Sequence, residues 1–218
     1  MSNPSLRFSG VSTAPGAVVL FLHGGQQSNH KPVMRRHASW ARMALMQRNF
    51  GVFAKNKNLA VALLKYRVRG WNASPEAEPE PVQDTRWAIE ELRTRFGTVP
   101  IVLVGHSMGG RTACHVADER AVVGVCALAP WLPQGEPVGA FQDRALSVTH
   151  GTRDKWTSAQ WSRDYVRRAQ PIATRATWTS MADTGHFMLS HIREWDVFVR
   201  TTVADMLSLP AEMAEDDA

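Results

Sequence analysis

A three-layer α/β domain, with a mostly parallel sheet and helices on both faces, is the fold class this 218-residue sequence predicts. Three observations predict it. Short apolar, β-rich runs alternate from end to end with longer segments of helical period, the mark of parallel strands buried on both faces. The glycine-bearing motifs each follow one of those runs, at the carboxyl end of a strand, where function collects in such sheets. The length suits one well-buried core and leaves little room for a second.

The elements read in order. Residues 1–16 form a lead-in that holds at most a reduced strand between Leu6 and Val11. Ala17 to Leu22 is a continuous apolar run, followed by His23-Gly-Gly25 and a polar stretch. Pro32 to Phe50 has helical period, with Val33, His37, Trp40, Ala41, Ala44 and Leu45 on one side and Arg35, Arg42 and Arg48 mostly on the other. Pro32 suits its first turn and Gly51 its stop. Leu59 to Tyr66 is the next buried strand, leading into Arg67-Val-Arg-Gly-Trp71 and an acidic, proline-rich surface connection, Asn72 to Gln83. Asp84 is placed to cap a helix that runs to Phe96, with Ala88, Leu92 and Phe96 inward and Gly97 closing it.

Ile101 to Val104 is a strand and Met108 to Asp118 a helix. Val122 to Leu128 and Ala145 to Thr149 are further strands, with Trp131 and Pro133 in the loop between them. Ser158 to Ala169 is a helix, Ala176 to Met181 the last strand, and Ile192 to Leu207 a final amphipathic helix. Its inward residues are Trp195, Val199, Val203 and Met206 or Leu207. One domain, 17–207, is therefore expected, and the acidic tail 208–218 is expected to be disordered. There is no repeat.

Composition narrows the function classes. The longest apolar stretch, Ala17 to Leu22, is far too short to cross a bilayer. The first residues lack the layout of a secretory signal, and the only cysteines, Cys114 and Cys126, read as reduced core residues. A cytoplasmic location is expected. The net charge of +5 is uneven: eleven Lys or Arg and no acid precede Glu76, so the two parts carry +11 and −6. A basic part of this kind attracts anionic partners. No metal finger, stacking aromatic motif or long basic helix is present, so a nucleic-acid partner is not expected.

The sharpest motif is Gly105-His-Ser-Met-Gly109, directly after an apolar strand and directly before a helix. A serine at such a turn takes a strained backbone that pushes its hydroxyl into the open, and small residues two before and two after permit the close approach. Ser107 is a weak nucleophile alone and needs a base. Of eight histidines, His186 in Asp183-Thr-Gly-His186 sits on a short loop after the last strand and is the preferred base, with His191 and His150 as alternatives. His106 points away by the geometry of the turn, and His23 orders the first loop.

The imidazole in turn needs a carboxylate to hold its tautomer. Asp154, in Thr149-His-Gly-Thr-Arg-Asp154, lies one loop past the penultimate strand and gives the order Ser, Asp, His. Asp183 reads as a turn residue, and Asp143 precedes its strand at the wrong end. Two N–H donors are needed for the oxyanion. Met108 supplies one, and Gly25 or Gln26 the other, which the sequence does not separate. Trp131, Trp156 and Met108 are candidate pocket walls.

Taken together, HGG after one strand, GHSMGG after another, HGTRD after a third and GH before the terminal helix resemble the α/β-hydrolase family over Ala17 to Leu207. Arg67-Val-Arg-Gly70 resembles it too. The resemblance implies an eight-stranded sheet, a covalent acyl-enzyme and catalysis without metal or cofactor. It also implies a small-molecule ester or, second, thioester substrate. Two departures stand out: the leading strands are missing or reduced, and no long insertion separates Leu128 from Ala145, so a large lid is absent. A ligand-sensing or partner-binding protein of the same fold is the reading from another class.

Overall fold

A computed structural model of the protein describes residues 3–9, 13–55 and 57–208. Seven strands are present among them: β1 (Ser5–Ser9), β2 (Ala17–Leu22), β3 (Leu59–Lys65), β4 (Ile101–His106), β5 (Val122–Leu128), β6 (Ala145–Gly151) and β7 (Arg175–Met181). Five helices alternate with them: α1 (Ala38–Ala54), α2 (Glu80–Phe96), α3 (Met108–His115), α4 (Ala159–Ala169) and α5 (Ile192–Met206). They form one sheet in the order β1-β3-β2-β4-β5-β6-β7. From β3 to β7 every pairing is parallel, and only β1 runs antiparallel, with Phe8 opposite Ala62.

This topology puts the carboxyl ends of six strands on one edge. Residues of β2 and β4 are buried along their whole length, as their unbroken apolar runs require. Helices α1 and α5 pack against each other on one face, and α2 and α3 against each other on the opposite face. Among the described residues no helix is long and apolar enough to cross a membrane.

Among the described residues the sheet has seven strands where the resemblance implies eight. The leading strand survives as Ser5–Ser9, and residues 10 and 11 of its expected span lie outside the described residues, as does the acidic tail from 209. Only one short 3₁₀ turn, Gly139–Phe141, occupies the connection from β5 to β6, so no large lid covers the strand ends.

Two helices differ from expectation at their starts. Helix α1 begins at Ala38 rather than Pro32, because Pro32 is held extended in an antiparallel bridge to Val68. It continues past Gly51, where a glycine costs about 1 kcal/mol in a helix. Packing decides, since a Cβ there would sit 3.2 Å from Ser9 Oγ. Its buried side is also rotated. Ala41 and Leu45 are exposed, while Met43, Met46 and Gln47 go inward. Gln47 reads as polar but can be buried because its amide donates to Arg7 O at 2.9 Å.

Helix α2 starts at Glu80, four residues before the expected cap. Asp84 lies inside it, fully buried, and serves a different purpose. Its carboxylate accepts Arg67 N–H at 2.8 Å and Arg67 Nε at 2.6 Å, tying the loop after β3 to the helix. Helix α3 ends three residues early, at His115.

Candidate active site

Ser107 stands between β4 and α3 with φ 55° and ψ −118°, a backbone that few side chains adopt. The bend is possible because its flanking glycines let the backbones close up. A Cβ on Gly105 would lie 2.3 Å from Gly109 O, and one on Gly109 would lie 2.4 Å from Leu22 O. The second contact seats the bend against the end of β2, and so beside the His23-Gly24-Gly25 loop.

The structure brings Ser107, His186 and Asp154 together across 79 residues of chain. His186 Nε2 is 3.1 Å from Ser107 Oγ, and His186 Nδ1 is 2.9 Å from Asp154 Oδ2. The carboxylate requires Nδ1 to carry the ring proton, so Nε2 is left to accept from the serine hydroxyl. Asp154 itself is saturated with donors. Oδ1 accepts the N–H groups of Trp156 (2.8 Å) and Thr157 (3.0 Å), and Oδ2 also accepts the Thr157 hydroxyl at 2.9 Å. Burial pushes this carboxyl up, but the His186 hydrogen bond and the two backbone N–H groups outweigh it and hold the group below the usual carboxylate range.

Two residues that sequence reasoning did not assign to the site complete it. Thr157 Oγ, having donated to Asp154, accepts from His150 Nε2 at 3.0 Å, so His150 stands behind the acid rather than competing for the base position. His106 turns away from the serine, as expected, yet its Nε2 donates to the backbone carbonyl of His186 at 2.8 Å. It therefore holds the histidine loop from beneath. A threonine three residues past an aspartate is a common turn pattern and was the available signal for Thr157. Nothing local marks His106, because its partner is 80 residues away.

The remaining histidine and acid candidates separate cleanly. His191 is half exposed and pairs with Glu194 Oε1 at 2.7 Å, away from the serine. Asp183 has φ 55° and an exposed ion pair to Arg153 at 2.8 Å. Asp143 lies before the start of β6, opposite to the strand ends.

Of the expected oxyanion donors, one is corrected. Gln26 N–H is already spent on Arg69 O at 2.8 Å, which closes the loop onto the β3 exit. Gly25 N–H and Met108 N–H have no acceptor among the described residues. The two positions touch, since a Cβ on Gly25 would lie 2.4 Å from Met108 Cε. Of the pair, only Gly25 keeps an N–H without an acceptor among the described residues.

An open pocket of about 590 Å³ surrounds these groups. Trp131 and Trp156 both line it, with Phe187 and Val33. Trp156 is 72% exposed and lies nearly parallel to the His186 ring, with centroids 6.4 Å apart. Trp131 is partly buried, its ring against the Arg111 guanidinium at 4.5 Å and its backbone N–H donating to Ser107 O at 3.1 Å.

Three buried histidines at this edge have a consequence for stability. Burial holds His106 down to about 3 and His23 and His150 down to about 4, so each is neutral in the folded state. In the unfolded chain each titrates near 6.5. Below that pH the unfolded state binds protons that the folded state refuses, and stability falls as pH drops from about 6.5 towards 4. Urea unfolding at pH 5 is expected to show several kcal/mol, on the order of 4, less stability than at pH 7. Equal midpoints at the two pH values would show that these imidazoles are not kept neutral.

A family model described as "Alpha/beta hydrolase family" matches residues 19–217. No curated protein matches the chain in sequence. Among solved structures, Est1E from Butyrivibrio proteoclasticus with ferulic acid bound is similar at TM-score 0.68 and 12% identity, over 94% of this chain and 96% of that one. A thermophilic esterase from Thermogutta terrifontis, with butyrate bound, is similar at TM-score 0.67 and 16% identity, over 97% and 91%. A lidless α/β serine hydrolase from Xanthomonas campestris is similar at TM-score 0.62 and 16% identity, over 96% and 90%. At these identities the likeness is one of fold.

Proposed function

Because the chain belongs to the alpha/beta hydrolase family, we propose that it is a serine hydrolase cleaving carboxylic esters of small to medium acyl chains on Ser107, His186 and Asp154. The observation that carries this reading is the unbroken hydrogen-bond line from Asp154 Oδ2 through His186 to Ser107 Oγ, at 2.9 and 3.1 Å.

The chemistry follows from that line. As Ser107 Oγ attacks the ester carbonyl, His186 Nε2 takes its proton, and the imidazolium that forms is held by Asp154. The carbonyl oxygen gains negative charge between Gly25 N–H and Met108 N–H, at the amino end of α3, where fixed dipoles favour it. The leaving alcohol departs with the proton from His186. Water then enters and attacks the acyl carbon as His186 takes one of its protons, and His186 returns that proton to Ser107 Oγ as the carboxylic acid leaves.

Size and wall chemistry support the substrate class. The pocket is open, lined by aromatic and apolar side chains near the serine, and uncovered by any long insertion. A butyrate-bound esterase of the same fold points the same way. Two buried free cysteines fit a reducing, cytoplasmic setting.

A panel of p-nitrophenyl esters from acetate to dodecanoate tests the reading, with fluorophosphonate labelling of the wild type and Ser107→Ala. Labelling confined to the wild type and highest kcat/KM on the shorter acyl chains are expected. A single burst followed by stalling would instead indicate a ligand sensor, and no labelling at all would remove Ser107 as an activated group.

Thr157 provides a finer check. Thr157→Val keeps the shape and removes the hydroxyl that joins His150 to Asp154. A lost hydrogen bond to a charged group is worth about 1.5–3 kcal/mol, so kcat is expected to fall by about ten- to a hundredfold. KM should change little. Unchanged kcat would show that Asp154 needs only its other donors.

A further inference from the structure

We propose that the substrate carries an anionic group, and that Arg69 receives it at the mouth of the Ser107 pocket. This rests on the serine-hydrolase reading above and adds a substrate class to it.

Arg67 and Arg69 leave the same strand, yet they are treated differently. Arg67 is neutralised by the buried Asp84 at 2.6 Å. Arg69, partly buried and lining the pocket, has no acidic partner among the described residues. Among the described residues some arginines do find an acid, Arg86 with Glu78, Arg111 with Glu136 and Arg153 with Asp183, but Arg69 is the unpaired one that lines the pocket of Ser107. An arginine drawn partly out of water without a counter-charge loses hydration and gains no Coulomb attraction in return. A bound carboxylate or phosphate supplies the missing partner, and the guanidinium fork suits either.

The surroundings agree. No Asp or Glu lines this pocket among the described residues. Of the segments around it, those up to Arg69 precede Glu76, the first acid of the chain, while those that bring Ser107, Trp131, Trp156 and His186 follow it. Arg36 stands nearby, and His37 on the pocket wall accepts Met34 N–H at Nδ1 (3.0 Å), leaving Nε2 to carry its proton.

Arg69 is also held in place. Its N–H donates to Lys31 O at 3.0 Å and its carbonyl accepts Gln26 N–H at 2.8 Å, next to the Gly25 oxyanion position. The side chain thus starts from a fixed point one residue from the reacting carbonyl's binding loop. Replacing the side chain leaves both backbone bonds intact.

Two matched substrate pairs test this. Mono-p-nitrophenyl glutarate against p-nitrophenyl pentanoate places the charge on the acyl side. 4-Acetoxybenzoate against its methyl ester places it on the leaving alcohol. Arg69→Gln is expected to lower kcat/KM for the anionic member of one pair at least tenfold more than for its neutral partner, chiefly through KM. Arg69→Lys should restore part of the preference, added salt should erode it, and Arg48→Gln, on the exposed side of α1, should leave it unmoved. The pair that responds names the side on which the anion sits. Equal losses within both pairs would overturn the proposal.

Should Ser107→Ala leave turnover of the neutral esters intact, the serine-hydrolase reading fails by itself. Calorimetric titration of glutarate then carries the test alone. Binding to the wild type that is lost in Arg69→Gln supports the anion site, and equal binding or none in both overturns it.

Discussion

Ser107→Ala lowers kcat on a p-nitrophenyl ester by about a millionfold, the loss expected when a nucleophile is removed from a cooperating triad. The residue left behind still sits at φ 55° between the same glycines, and alanine fills no more space than serine. The variant should therefore fold as the wild type does, with an unfolding midpoint moved by only about 2 °C. Steady-state kinetics beside a thermal melt checks both parts. A loss below about a hundredfold would mean that another group attacks the ester, or that the hydrolysis measured is not the enzyme's. What activity remains should come from the two backbone donors at Gly25 and Met108, since the substitution leaves them untouched.

Asp154→Asn is expected to cost about 10⁴ in kcat with little change in KM. The substitution is almost isosteric, so packing around a side chain that is 1% exposed survives. The hydrogen-bond pattern does not. Oδ2 accepts from His186 and Thr157, and Oδ1 accepts two backbone N–H groups, so an amide NH₂ on the Oδ1 side would face only donors and turns instead towards His186. With the amide nitrogen facing Nδ1, the imidazole moves its proton to Nε2 and can no longer accept from Ser107. Asp183→Asn, three residues from the base and in an exposed ion pair, should change kcat by less than about twofold. If the two variants behaved alike, the assignment of the acid would be wrong.

Both tests concern residues that were legible in the chain before any fold was known. Ser107 was visible because a strained turn leaves a local trace: an apolar strand, glycines two before and two after, and a helix. His186 and Asp154 were visible less directly, through their places on loops after the last two strands. The strands themselves were legible because double-sided burial demands unbroken apolar runs, and those of β2 and β4 are buried throughout.

The misreadings share a cause. Pro32 looked like a helix start, Gly51 like a stop and Asp84 like a cap, and each inference was sound for an isolated segment. Pro32 instead bridges to Val68, Gly51 lets α1 pass close to Ser9, and Asp84 answers Arg67 from inside a helix. Distant partners overrode local preference in all three cases. A distant partner also separates Gln26 from Gly25, which the sequence leaves as alternatives, because Gln26 N–H is consumed by Arg69 O.

Periodicity and turn chemistry act over a few residues, so the order of elements, the strained serine and the chain order of the three residues proposed as a triad could be read from the one-dimensional chain. Which backbone N–H groups stay free, which histidine stands behind Asp154, and whether Arg69 meets a counter-charge depend on groups tens of residues apart. Hydrogen bonds and ion pairs form only over about 3 Å. No local pattern encodes a contact of that range between separate strand ends, and packing alone assigned Gly25, Thr157, His106 and Arg69 their places.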